Sequence, residues 1–194
     1  MGCAFALALS LAGCSGRALV HTIPLGTQKI NTEGPLLLRE SLHECYYWVN
    51  DKRELCIAMR TFHRSLFGKL LEREFVMSLV APGTPAAESR DYKVDRSTAR
   101  VFSRFGIYPQ RGGSQSGILT VWDFGRGRLK GRFRFNARQQ TYSVLTGWSA
   151  ATVSMYVGEF TAVENRQRGE AILKQTEEAG LGRDQPARPS PNPP

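Results

Sequence analysis

The chain is poor in the residues that carry chemistry. Its 194 residues hold three histidines, His21, His43 and His63, too far apart to form a paired motif. There is no His-Glu-x-x-His run, so the helix-borne zinc hydrolase pattern is excluded, and no Gly-x-Ser-x-Gly elbow presents a nucleophile. No phosphate loop or dinucleotide fingerprint follows a strand-like run. The glycine-rich pieces, Gly112-Gly113 and Gly125-Arg126-Gly127, read as turns. Asp123 and Glu159 could form a carboxylate pair, but nothing in their spacing favours that over ion pairing to nearby arginines. No apolar run reaches the roughly 20 residues of a membrane-spanning helix, and no internal repeat is present. Acidic residues are outnumbered, 17 against 26 Lys and Arg, for a formal charge of +9. With no catalytic motif, cofactor motif or metal-ligand set in view, the expectation is a chain that binds or scaffolds rather than one that catalyses.

What is present is a period-two pattern. Runs rich in aromatic and β-branched residues, separated by turn residues, fall at 45–49, 53–57, 75–80, 90–94, 99–105, 118–124, 129–137, 141–146 and 152–163. Short connections between them favour antiparallel pairing. Two segments depart from the pattern. Ser65–Arg73 places Leu66, Phe67, Leu70 and Leu71 at helical spacing. Asn165–Ala179 has Asn165 as an N-cap, Gly180 as a stop, and a narrow apolar face. The fold class predicted is mainly β (α+β): a single antiparallel sheet or barrel-like meander of about eight or nine strands, with a C-terminal helix. Residues 36–181 form this domain. Residues 14–35, with Pro24, Gly26, Gly34 and Pro35, read as a tether, and the Pro-rich tail 182–194 as disordered.

Four cysteines stand at positions 3, 14, 45 and 56. Cys45 and Cys56 flank Asn50-Asp51. A hairpin centred on those two residues sets the cysteines opposite each other and predicts a disulfide. The alternatives are two buried free thiols, or a metal pair with His43 that is one ligand short of a structural zinc site.

Between residues 126 and 138 the cations fall on alternate positions. Arg126, Arg128, Lys130, Arg132, Arg134 and Arg138 share one strand face, and Leu129, Phe133, Phe135 and Ala137 share the other. The cations then repeat at about 6.6 Å, twice the strand rise. Like charges in a row need compensation from acidic neighbours, salt or an anionic ligand. The row reads either as a solvated sheet face or as an anion-binding surface, with Arg dominance suited to phosphate or carboxylate. Tyr142 and Trp148 nearby could stack on rings or could be core.

At the N-terminus a charge-free apolar stretch, Ala4 to Ala12, ends in Leu11-Ala12-Gly13-Cys14. This sequence resembles the lipobox of bacterial lipoproteins: Leu, a small residue, Gly, then the cysteine that takes the lipid. The resemblance covers only the leader. It implies that residues 1–13 are a signal peptide, that Cys14 carries a diacylglyceryl group, and that the mature chain begins there. Ser15 after the cysteine implies the outer membrane, facing the periplasm. Two or three acyl chains anchor stably where one would be marginal. The expectation is therefore an envelope lipoprotein whose basic sheet face meets anionic lipid, lipopolysaccharide or an envelope protein, and not nucleic acid. The alternatives are a periplasmic enzyme acting on an anionic envelope substrate, or a barrel-type carrier of a small apolar ligand. The Gly-x-Trp that small lipid-carrying barrels often show at their first strand is absent.

Overall fold

The computed structural model describes residues 15–25, 38–63, 73–85, 88–96, 98–105, 108–143 and 145–181. The leader, Cys14, the Pro-rich tail and all of the short helix expected over Ser65–Arg73 except Arg73 itself lie outside the described residues. In chain order the strands are β1 (Arg17–Leu25), β2 (Leu38–Leu42), β3 (Glu44–Val49), β4 (Glu54–His63), β5 (Arg73–Pro82), β6 (Arg90–Val94), β7 (Ala99–Phe105), β8 (Tyr108–Gly125), β9 (Arg128–Ser143), β10 (Gly147–Trp148) and β11 (Thr152–Glu164). Helix α1 (Arg166–Leu181) follows. The chain is mainly β, in one sheet, as its alternation predicts.

The pairing path is β10–β9–β8–β7–β5–β4–β3–β11–β1–β2, with β6 beside β8. A further β9–β11 pairing closes a circuit through β9, β8, β7, β5, β4, β3 and β11. All pairings between these strands are antiparallel except β11 with β3, which is parallel over Val163–Tyr46 and Glu164–Tyr47. Segment 141–146, expected as a separate strand, begins as the continuation of β9, and Gly147–Trp148 folds back on it. Gly112-Gly113 is no turn either: it lies inside β8, just before a bulge between Ser114 and Ser116. That bulge has a partner. Ser114 accepts the Ala99 amide at 2.9 Å and donates to the Asp95 carbonyl, which pins the step from β6 to β7. The expected turn at Gly125-Arg126-Gly127 does form, with all three residues at positive φ.

Two corrections bear on the site. Residues 17–25, read from sequence as tether, are β1, paired along their whole length with β11 and also with β2. Val20 there is fully buried. Proline and glycine at 24, 26, 34 and 35 obscured a β-branched run that had a partner waiting more than a hundred residues away. The second correction is the disulfide. Cys45 stands opposite Met59, and Cys56 opposite Trp48. The turn is not centred on Asn50-Asp51. Asn50 Oδ1 accepts the amides of Lys52 and Glu54 at 3.0 and 2.9 Å, and Arg53 takes a left-handed φ of 58°. The loop is thus longer than two residues. An odd shift in register flips a side chain to the other face, so Cys45 enters the interior and Cys56 the layer beneath α1. Both are free thiols, and on opposite faces of the sheet they cannot share a metal ion. Burial pushes the Cys45 thiol far up. Burial, then the Glu54 and Glu170 carboxylates, push Cys56 to about 11.

There are two cores. The interior one gathers Leu55, Ile57, Met59, Met77, Leu79, Leu119, Leu129, Phe133 and Phe135 with their neighbours. Room for its large rings comes from glycine: a Cβ on Gly158 would lie 2.5 Å from Phe133 Cζ, and one on Gly131 2.4 Å from Phe160 Cζ. The outer core lies between α1 and the β3–β4–β5 face, with Tyr46, Trp48, Cys56, Ala58, Val76 and Ile172. Asn165 caps α1 as expected, its Oδ1 accepting the Arg168 amide at 3.0 Å. Gly180, expected to stop the helix, lies within it instead.

Candidate functional site

On β9 the expected alternation holds. Leu129, Phe133, Phe135 and Ala137 are buried, whereas Arg128, Arg132, Arg134 and Arg138 are exposed. Arg126 does not belong to the row: it sits in the β8–β9 turn with φ 55°. Lys130 is half-buried, its ammonium 3.8 Å above the Phe124 ring.

The neighbours of the row are what sequence could not supply. β9 pairs with β11, and β11 pairs on its other side with β1. Three residues therefore align across the outer face at each level. Lys130, Thr161 and Arg17 form one level, and Arg132, Glu159 and Leu19 the next. Arg39 on β2 stands opposite His21 of β1. Arg17 and Arg39 on one bank, and Lys130 and Arg132 on the other, flank a groove of about 880 Å³, with Trp122 at its side. Glu159 is the carboxylate lining it. It lies opposite Arg132 in register, yet among the described residues neither Arg132 nor Arg17, Arg39, Arg128, Arg134 or Arg138 makes an ion pair within 4.0 Å. Four cations around one carboxylate leave the groove positive. Arg126 and Arg128, at the β8–β9 turn, do not line it, and Arg134 and Arg138 lie farther along β9.

Apolar side chains share this face. Ile118, opposite Arg134, and Phe124, beneath Lys130, are each 55% exposed. The groove also lies at the end of β1 nearest residue 14. Cys14 precedes Arg17 by three residues, a span of at most about 11 Å of extended chain. Arg17 and Arg39 were missed from sequence because β1 places Leu19 and Ile23 on the same face as Arg17, so no clean alternation marks it. Tyr142 and Trp148 pack edge to face at 5.4 Å, with the Arg111 guanidinium 4.2 Å from the Trp148 ring, away from the groove.

A second concavity opens at the other end of the circuit, where β1 finishes. This cup has a volume of about 1000 Å³. Its floor is Phe75 and Tyr156, ring centroids 6.4 Å apart, with Phe135 stacked against Tyr156 at 5.3 Å. The Tyr156 hydroxyl accepts a hydrogen bond from the Gln139 amide, and burial raises the phenol above its ordinary range. On the wall Glu40 pairs with Arg73. Burial raises the Glu40 carboxyl, against the opposing pull of Arg73 and His63. Ser103 donates to Gln110 at 3.2 Å, and Thr22 and Ser154 add hydroxyls. At the edge, Arg104 pairs with Glu74 at 3.3 Å.

Among the described residues no group of three or more His, Cys, Asp or Glu is placed to hold a metal ion, and no helix is long and apolar enough to cross a membrane. No family model, curated protein or solved structure matches the chain.

Proposed function

We propose that the protein is a lipid-anchored component of the bacterial cell envelope, held at the outer membrane facing the periplasm. Its basic outer groove binds anionic head groups rather than carrying out catalysis. The observation that carries this is the gathering of Arg17, Arg39, Lys130 and Arg132 around one groove, none of them ion-paired among the described residues, with Arg17 three residues from Cys14. Cations closing on a membrane contribute about 1 kcal/mol each and act over roughly a Debye length. The anchor removes the cost of bringing them there, because a tethered second contact forms at high effective concentration. Exposed Ile118 and Phe124 beside the cations suit an interface of phosphates above acyl chains better than they suit a soluble anion.

The test uses the chain from Ser15 onward, free of lipid, with vesicles of phosphatidylglycerol or phosphatidylcholine. Binding should be confined to the anionic vesicles and fall as salt rises. Joint Arg17→Ser and Arg132→Ser replacement removes about 2 kcal/mol, or about thirtyfold in affinity. In the native host, Cys14→Ser should leave the protein unlipidated and reduce its membrane partition to the salt-sensitive part that the groove supplies. Equal binding to both vesicle types would refute the groove's role. Mass spectrometry showing an unmodified residue 14 in the native host would refute the anchor.

A further inference from the structure

We infer that the cup at the far end of the circuit is a binding site for a neutral sugar of one or two rings. The inference is independent of the basic groove. The cup lies at the opposite end of β1, whose eight steps from Arg17 to Leu25 span about 26 Å, and so it opens away from residue 14.

Its size matches a small-molecule site, since such pockets run to about 300–1000 Å³, and the cup holds about 1000 Å³. Its charge decides against an ion. Glu40 is neutralised by Arg73, and at the edge Glu74 is turned toward α1, held by Arg104 and Gln175. An anionic ligand would meet the carboxylate and a cationic one the guanidinium. The polar wall decides against a purely apolar ligand. Covering Gln110, Gln139 and Arg73 with hydrocarbon would strip their remaining donors and acceptors of water without replacement.

A polyol meets these groups on their own terms. Each sugar hydroxyl both donates and accepts, as does each amide and hydroxyl in the wall. Gln139 spends one amide hydrogen on Tyr156 and keeps its carbonyl oxygen. Gln110 accepts from Ser103 at its carbonyl oxygen and keeps its amide N–H donors. Arg73 and Glu40 offer planar two-point contacts for neighbouring hydroxyls. Tyr108, 51% exposed and lining the cup, supplies the ring against which a sugar's C–H face packs, while the buried Phe75 and Tyr156 close the floor beneath.

The experiment is saturation-transfer NMR on the full chain in detergent micelles, with methyl β-D-glucoside, maltose and N,N′-diacetylchitobiose as probes and a fluorescent fatty acid as the apolar competitor. At least one sugar should bind with a dissociation constant below about 10 mM, an affinity within reach of a few hydrogen bonds. Gln139→Ala should weaken it about five- to tenfold, the worth of one hydrogen bond. Gln110→Ala, on a different strand of the wall, should do the same and guards against misfolding of the first variant. Arg132→Ser should leave sugar binding unchanged. The inference fails if none of the three sugars transfers saturation, if the fatty acid binds the cup in their place, or if sugar binding ignores both glutamine variants.

Discussion

Glu40 shows how a single buried carboxylate sets a pH dependence. Burial raises its pKa above the ordinary 4.5, and the attraction of Arg73 and His63 only partly opposes this. The folded protein therefore holds the proton more tightly than the unfolded chain. The group's contribution to stability is fully present below pH 4.5 and is lost as pH rises through the folded value. Glu40→Gln, a neutral isostere, should remove that slope. The variant should match or exceed the native protein in stability at pH 7.5 and lose any advantage at pH 4.5, measured as urea midpoints. A variant markedly weaker at pH 7.5 would mean the Arg73 pair outweighs desolvation. Cys45 and Cys56 make a different point at the same scale. Their identities are plain in the sequence, but their relation depends on the Asn50 turn, which offsets them across the hairpin and onto opposite faces.

At the scale of elements, α1 depends on one small residue. Gly169 is buried against Trp48, and a Cβ there would sit 2.3 Å from the indole Cζ3. Alanine improves helix propensity by about 0.8–1 kcal/mol. Overpacking against a ring that is itself only 3% exposed costs about 1–3 kcal/mol. The clash should win. Gly169→Ala is expected to lower the melting temperature by about 2–4 °C, as a loss of about 1 kcal/mol does in a domain of this size. A rise instead would show that the helix can lift off the sheet at no cost. Strand β9 was legible because its two faces differ so sharply in polarity. Strand β1 was not, because both of its faces carry apolar residues and its pairing with β11 is long-range.

For the whole molecule, closure is the property at stake. β1 covers one edge of β11 from Val153 to Thr161. It also brings Ala18, Val20 and Thr22 into buried positions. A chain that starts after Leu25 should lose cooperative thermal unfolding and aggregate through the exposed edge. Were these residues a mere tether, the same deletion would leave the transition unchanged. Closure also separates the two concavities. The groove lies outside at the start of β1, and the cup lies inside at its end. On the function and the sugar site proposed above, one protein would then face a membrane and a solution ligand at once.

The sequence by itself determined the β class, the alternation that sorts β9 into a buried and a cationic face, the Asn165-capped helix, and the excess of positive charge. These are local properties, carried by spacing of two or 3.6 residues and by side-chain type. Only the tertiary structure decided which strands meet. It set Arg17 and Arg39 across β11 from Lys130 and Arg132, removed Arg126 from the row, parted the cysteines, and left a polar cup where the circuit closes. The physical reason is that register and long-range pairing follow from how all the strands bury their faces together. A shift of one residue reverses every side chain in a strand, and no local pattern fixes that shift.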